Sequence, residues 1–239
     1  PLGLLIEGAV QSVRLCHALP GGHWVIGRPS LWLVVGYYVL LGLSLARGIL
    51  GWSRGRVAIL WCAALAGWIW IAVLIKDVES RYLRVDLLDV GHGDCLLVRT
   101  PAGHRLLVDA GTEEAAQFRV LPFLRHEGIG TLNALVLTHP DADHAGGVAR
   151  LLSELRVQRL LTNGAFDATI SARLRRLAEP RGTLLGTLAA GMRLDVGPNM
   201  TVDVLHPPQG FVPGTLPASN DNSLVLKLTY DRASFLLTG

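Results

Sequence analysis

The sequence predicts an α/β domain of mixed sheets covered by helices, preceded by a two-helix transmembrane hairpin. Three observations predict it. Val57 to Ile75 runs nineteen residues without a charge, the length that crosses a bilayer core of about 30 Å at 1.5 Å per residue. Residues 1–80 hold six Lys and Arg against three Asp and Glu, whereas residues 81–239 hold sixteen of each. From residue 81 onward, short apolar runs bounded by turns alternate with helical patterns, the order that builds a mixed sheet covered by helices. With 50% hydrophobic residues, 17% charged residues and a mean hydropathy of +0.39, the 239-residue chain is neither disordered nor one ordinary soluble domain. The pI near 9.0 arises in the first third, and the polar part is neutral, so bulk charge makes no case for nucleic acid. Cys16, Cys62 and Cys95 define neither a disulfide framework nor a zinc knuckle. The chain has no initiator Met and stops at Leu237-Thr238-Gly239 inside a strand-like run, so it is expected to be a piece of a larger protein.

The first element is an amphipathic helix. Leu2, Leu5, Ile6, Ala9, Val10 and Val13 recur at three- and four-residue steps, with Glu7, Gln11 and Arg14 off the stripe, and Gly21-Gly22 is expected to break it. Residues 1–29 therefore form an interfacial segment. Residues 30–76 form two spans, Ser30 to Ala46 and Val57 to Ile75, where a signal peptide or a fully buried core helix are the competing readings. The connector at 47–56 carries Arg47, Arg54 and Arg56, which the positive-inside rule assigns to the cytoplasm, leaving both flanks outside. Lys76, Arg81 and Arg84 pull the other way.

In the polar part, Val85–Val90, Cys95–Arg99 and Leu106–Val108 read as strands, the last two joined through Pro101-Ala102-Gly103. A helix over about Ala115–His126, the apolar run Ala134–Leu137, a helix near Gly147–Leu155, a strand over Val157–Leu161 and a helix over Thr169–Ala178 follow. Met192–Leu205 and Ser223–Leu237 read as hairpins, separated by a Gly-Pro-rich loop at 207–217.

The chemistry is concentrated in Thr138-His139-Pro140-Asp141-Ala142-Asp143-His144, directly after an apolar strand and directly before Gly146-Gly147. Four potential ligands occupy six consecutive positions. In an extended loop His139, Asp141 and Asp143 share a side, and His144 turns back from the next helix, a geometry able to hold two metals. A lone surface His or a turn Asp is ordinarily structural, but a merely structural loop has no need of four such groups. Asp109 ends a second apolar strand, at a sheet end where sites form. Arg173, Arg175, Arg176 and Arg181 are a thinner hint of phosphate contact, with a solvated helix face as the plainer reading.

These motifs carry a resemblance. HxDxDH after a strand, with an upstream strand-end Asp, resembles the metallo-β-lactamase superfamily. The run Asp89-Val90-Gly91-His92-Gly93-Asp94, then LLVDAG, THPDADHAGG and Ser219-Asn220-Asp221-Asn222-Ser223-Leu224-Val225-Leu226, resembles the C-terminal domain of the ComEC family of bacterial DNA-uptake channel proteins. The match covers residues 84–239 and extends over the hairpin and the amphipathic segment, which in that family close the channel portion.

The resemblance implies an αββα sandwich over 84–239, incomplete at its C-terminus. It implies that His139 and Asp141 hold one divalent ion and Asp143 and His144 a second, with Asp141 and Asp143 as the catalytic carboxylates and Asp109 and Asp94 orienting them from behind. His92 stands where the family has Gln, as an added ligand, a proton shuttle or a plain loop residue. No His matches the superfamily's third motif; Asp221 and Asn220 occupy that region, with His206 a rival. The family's bridging Asp follows the strand ending LLTG, beyond Gly239, so this piece is expected to bind metal weakly and turn over poorly. An oxygen-rich ligand set favours manganese beside zinc. The implied activity is metal-assisted hydrolysis of single-stranded DNA outside the cell membrane, alongside the channel portion and the uptake machinery. The alternatives are a noncatalytic DNA-docking or gating domain and a hydrolase of small substrates on the same fold.

Overall fold

The computed structural model describes residues 2–18, 29–79, 81–197, 199–212, 216 and 220–239. Apolar periodicity produces α1 (Leu2–Ala18), whose stripe residues Ile6, Val10 and Val13 are all exposed. The break expected at Gly21-Gly22 lies outside the described residues. α2 (Leu31–Leu45) starts where Ser30 Oγ accepts from Leu33 N, and it runs into a 3-10 turn at Ala46–Gly48. α3 (Arg54–Glu79) is longer than its uncharged run and takes Arg54 and Arg56 into its first turn, so the basic connector is shorter than 47–56.

Leu31–Gly48 and Arg54–Leu74 are apolar enough to cross a membrane and are 0% buried against the rest of the protein. Among the described residues they are not covered on every side as the core helix of a soluble domain would be. They pack on each other through few but specific contacts. Trp61 Nε1 donates to Ser44 Oγ at 2.9 Å, which itself donates to Leu40 O at 2.7 Å. Tyr37 meets Trp61 edge to face at 5.7 Å. Paired polar groups of this kind are what an apolar environment demands.

The polar part begins with an antiparallel meander, β1 (Arg84–Leu87), β2 (Leu96–Arg99) and β3 (Arg105–Val108). The strand expected to reach Val90 stops at Leu87, because Gly91 and Gly93 at φ +81° and +82° turn the chain. α4 (Glu113–Ala115) is capped by Thr112 Oγ1, which accepts from Ala115 N at 3.1 Å. A π turn over Ala116–Val120 leads into α5 (Leu121–His126). Pro122 has no N–H to give Phe118, which relaxes the helix at this point.

β4 (Thr131–Leu132), β5 (Ala134–Leu137), α6 (Ala142–Ala145), α7 (Val148–Glu154), β6 (Arg156–Val157) and β7 (Arg159–Thr162) come next. The single strand read over Val157–Leu161 is thus two, divided at Gln158: β6 pairs with β4 and β7 with β5. α8 (Ala168–Ala178) then leads to β8 (Leu184–Thr187), an edge strand that the sequence reading lacked. Four residues containing a Gly are too short a run to register as a strand by pattern. β9 (Arg193–Asp195), β10 (Met200–His206), β11 (Val225–Tyr230) and β12 (Ala233–Thr238) complete the chain as the two expected hairpins.

The strands form a six-stranded sheet in the order β1-β2-β3-β5-β7-β8 and a four-stranded sheet in the order β12-β11-β10-β9. From β3 to β8 the larger sheet is parallel, and β5 is buried at all four residues, which explains its unbroken apolar run. One core lies between this sheet and the helices, including Leu107, Leu135, Leu151 and Leu160. The other lies between the two sheets, including Leu106, Val136, Val202 and Leu226. Two layers of sheet and one of helices are therefore present. Among the described residues no helix covers the outer face of the smaller sheet. Leu135 is fully buried at the centre of the helix-facing core. Leu135→Ala is expected to destabilise the domain by about 2–5 kcal/mol, read as a shift in the denaturant midpoint at constant slope.

Candidate metal centre

Parallel strands bring their carboxyl ends to one edge of the sheet, and β3 and β5 deliver Asp109 and Thr138-His139 side by side there. Asp109 sits at φ +60°, a left-handed conformation that Asp tolerates at a cost of about 1 kcal/mol or more. It is 1% exposed. Its Oδ1 accepts from Thr138 N at 2.8 Å, and its Oδ2 accepts from Thr138 Oγ1 at 2.8 Å and from His144 Nδ1 at 2.9 Å. The buried carboxylate thereby exchanges its hydration for three donors, which is the condition for burying it at all.

These bonds fix the proton positions on both imidazoles. A carboxylate only accepts, so His144 Nδ1 must carry a proton. Thr138 has one hydroxyl proton and gives it to Asp109, yet His139 Nδ1 lies 2.9 Å from the same Oγ1. His139 Nδ1 must therefore be the donor in that contact, with Thr138 Oγ1 accepting. In the neutral form both rings present a bare Nε2. His139 is held below the ordinary histidine value, first by burial and then by the neighbouring His144. His144 is held above it, first by its hydrogen bond to Asp109.

The two Nε2 atoms face the two motif carboxylates. His139 Nε2 lies 3.6 Å from Asp141 Oδ2 and His144 Nε2 lies 3.9 Å from Asp143 Oδ2. The rings themselves are 4.1 Å apart, centroid to centroid. The imidazoles are covered, while the Asp141 and Asp143 side chains are 48% and 44% exposed at the mouth. Ligands held at about 2.0–2.2 Å from one ion lie about 3–3.6 Å from each other, so each pair has nearly the separation of two ligands of one ion. Among the described residues no three His, Cys, Asp or Glu side chains converge on one point. The donor set thus fits divalent metal as two imidazole–carboxylate pairs, short of a complete cage.

The loop is not extended as the sequence reading had it. Asp141 is the N-cap of α6, and Asp143 and His144 stand in its first turn. An N-cap Asp normally accepts from the helix N–H groups. Here Asp141 makes no side-chain cap bond, which leaves its carboxylate free to face His139.

Three loops are stitched together around this turn. Ala110 N donates to His144 O at 2.7 Å, Gly147 N to Gly111 O at 2.9 Å and Gly111 N to Asp94 O at 3.2 Å. A Cβ on Gly147 would lie 2.5 Å from Ala110 O, and one on Gly93 would lie 1.8 Å from Asp143 O. The Asp89–Asp94 loop therefore presses its backbone against the motif. His92 and the Asp94 side chain are exposed, and Asp94 acts through its carbonyl. Thr138 and Gly93 received no role in the sequence reading. The signal for Thr138 was a hydroxyl residue directly before the first His at the end of a buried strand.

The third-motif candidates lie apart from the four donors. Asp221 and Asn220 are exposed in a 3-10 turn at Asn220–Asn222, and His206 Nε2 donates to the Asp221 carbonyl at 2.6 Å. Their segment still borders the site. Leu224 N donates to Thr138 O at 3.0 Å, and Asn163 Nδ2 donates to Asn222 O at 2.9 Å. Gly239 also lies close, since a Cβ there would fall 2.4 Å from Thr138 Cβ.

Comparison with known proteins agrees with the resemblance carried by the motifs. Residues 88–239 match the model of the metallo-beta-lactamase superfamily. The chain is 32% identical over 173 residues to ComE operon protein 3 of Bacillus subtilis, covering 65% of this chain and 22% of that protein. It is 38% identical over 119 residues to competence protein ComA of Neisseria gonorrhoeae, 50% of this chain and 16% of that protein. It is 36% identical over 94 residues to recombination protein 2 of Haemophilus influenzae, 38% and 12% respectively. The chain therefore spans about a fifth or less of the length of these relatives. Among solved structures it is similar to a Cronobacter sakazakii metallo-beta-lactamase with a HARLDQ motif, at 20% identity and a TM-score of 0.46, over 64% of this chain and 55% of that one.

Two outcomes are expected. Thr138→Val removes the acceptor that sets the His139 tautomer and should weaken manganese or zinc binding about 10–100-fold, with Thr138→Ser restoring it, as measured by calorimetric titration. Gly93→Ala, which combines a left-handed φ with a backbone clash, should cost about 2 kcal/mol or more, visible as a lowered Tm.

Proposed function

This chain belongs to the metallo-beta-lactamase superfamily, and from that premise we propose that it carries the metal-dependent phosphodiesterase domain of a membrane protein that takes up DNA. The observation that carries the proposal is the pair of imidazoles, His139 buried and His144 partly buried, whose Nδ1 atoms are committed to Thr138 and Asp109 while their Nε2 atoms face Asp141 and Asp143. The names of the competence relatives support DNA as the substrate. The two apolar helices support a membrane location.

His139 with Asp141, and His144 with Asp143, would hold the divalent ions, with the oxygen-rich set suiting manganese as well as zinc. Bound there, such ions polarise a phosphodiester and lower the pKa of water towards neutrality. The chain's own residues prepare that chemistry. Asp109 and Thr138 hold both rings in one tautomer and orientation, so no side chain has to reorganise when a ligand enters. His144, held above its ordinary value by Asp109, must release its Nε2 proton to act as a ligand, which makes metal uptake weaker in acid. Asp141 and Asp143, half exposed at the mouth, are the carboxylates that a substrate meets first.

In this reading residues 1–29 and 30–76 belong to the channel side of the protein, Arg47, Arg54 and Arg56 face the cytoplasm, and residues 84–239 meet incoming DNA outside. The rest of the uptake machinery and the remainder of the protein are its partners. A second reading, a noncatalytic domain that docks or gates DNA, is favoured by one observation: among the described residues no three donors converge.

Cleavage separates the two. With manganese present, the intact protein, rather than this stretch alone, is expected to cut single-stranded DNA, and Asp143→Asn in it is expected to lower the rate about 100-fold or more. DNA binding without cleavage under any divalent metal would leave the docking reading.

A further inference from the structure

A cleft of about 320 Å³ lies between α8 and the outer edge of the six-stranded sheet, outside the metal centre. Its floor is set by strand register. Leu160 pairs with Leu185 and Thr162 with Thr187, so these four side chains alternate onto the helix-facing side of β7 and β8. α8 contributes Ser171 and Arg175, which are four residues apart and so on one face. Phe166, half-buried, closes one end. The cleft thus combines an apolar floor, an aromatic ring, three hydroxyls and a guanidinium, and among the described residues no carboxylate lines it.

Its place in the fold links it to the motif. β5, β7 and β8 are parallel neighbours. The motif leaves the carboxyl end of β5, and the cleft opens at the carboxyl ends of β7 and β8, at most two strand spacings or about 10 Å along the same edge. Along that edge Asn163 Nδ2 donates to Asn222 O and Leu224 N donates to Thr138 O, so the 220–224 segment is tied to the carboxyl ends of both β7 and β5.

The charge pattern is directional. Among the described residues Arg175 pairs with Glu179, at 3.9 Å and with both side chains about two-thirds exposed, a contact of little energetic weight that another anion can replace. At 100° per residue, Arg173 points to the opposite side of α8 from Ser171 and Arg175, and Arg176 lies on the flank, about 120° from their mean direction. Arg181 is turned to the carbonyls of Leu177 and Ser153. The arginine cluster seen in the sequence is therefore not one patch, and a single member of it lines the cleft.

We propose that this cleft is a nucleotide subsite for the single strand whose phosphodiester reaches His139–His144. Arg175 pairs with a backbone phosphate, the Thr187 hydroxyl donates to a phosphate or sugar oxygen, and the base rests on the leucine floor against Phe166, whose carbonyl accepts from Ser171 Oγ at 3.3 Å. Stacking on an aromatic face beside a cationic groove is tolerant of sequence, which suits DNA of any origin. The inference rests on reading the metal centre as one that acts on nucleic acid.

The test uses the full chain in detergent with EDTA, so that binding is measured without cleavage. The probe is a fluorescein-labelled oligodeoxythymidine, followed by anisotropy at two salt concentrations. Arg175→Glu and Thr187→Trp, the first removing the phosphate partner and the second filling the cleft, are each expected to weaken binding about tenfold or more. Arg173→Glu makes the same change of charge on the far face and is expected to stay within about twofold. Unchanged melting temperatures in all three variants exclude misfolding as the cause. Equal losses in Arg173→Glu and Arg175→Glu, or no loss in either, or no binding by the parent chain, would overturn the subsite. Manganese-dependent cleavage by the intact protein reads the metal centre independently: cleavage without a cleft effect removes the subsite alone, and a cleft effect without cleavage removes the hydrolase alone.

Discussion

The carboxylate of Asp109 is the interaction on which the rest of the centre depends. It is buried, it occupies a left-handed backbone position, and it collects the Thr138 amide, the Thr138 hydroxyl and His144 Nδ1. An unpartnered buried carboxylate would be costly enough to unfold its surroundings or to take up a proton. The site cannot lose its organisation without stranding that charge, so the ligand geometry and the integrity of the sheet edge are coupled. Through the Thr138 hydroxyl, which has one proton to give, the same carboxylate reaches a second histidine that it does not touch. A single charge thus sets the tautomers of both rings.

The sheet makes this arrangement possible. Parallel pairing of β3 with β5 brings Asp109 and Thr138 to one edge. The backbone bonds between the 88–95, 109–112 and 138–147 loops then hold the motif turn from both sides. Glycine is required where those backbones touch: Gly93 against Asp143 and Gly147 against Ala110 leave no room for a Cβ. The diglycine after the motif and the Gly within the first loop are packing devices as much as turn signals.

Much of this was legible in the sequence, and for identifiable reasons. Four ligand-type residues in six positions after an apolar strand are rare enough to single out His139, Asp141, Asp143 and His144 without coordinates. Nineteen uncharged residues mark out a helix long and apolar enough to cross a membrane. What stayed hidden depended on long-range pairing. β8 was missed because a four-residue edge strand containing Gly186 carries almost no pattern of its own. The motif was read as extended because alternation was the simplest way to converge its side chains, whereas Asp141 starts a helical turn and withholds its side chain from the cap. His92 stood out as a departure from the family's Gln, yet its neighbour Gly93 makes the contact with the motif. The role of Thr138 emerges only from counting protons in a network that spans 29 residues.

The central claim is that the chain presents two imidazole–carboxylate pairs ready for divalent metal. Anomalous diffraction from crystals of the protein soaked in manganese tests it most directly. Peaks enclosed by His139, Asp141, Asp143 and His144 are expected, with both histidines bound through Nε2 and Asp109 still on His144 Nδ1. Absence of a peak among these four residues, or a peak at His206 and Asp221 instead, would contradict it.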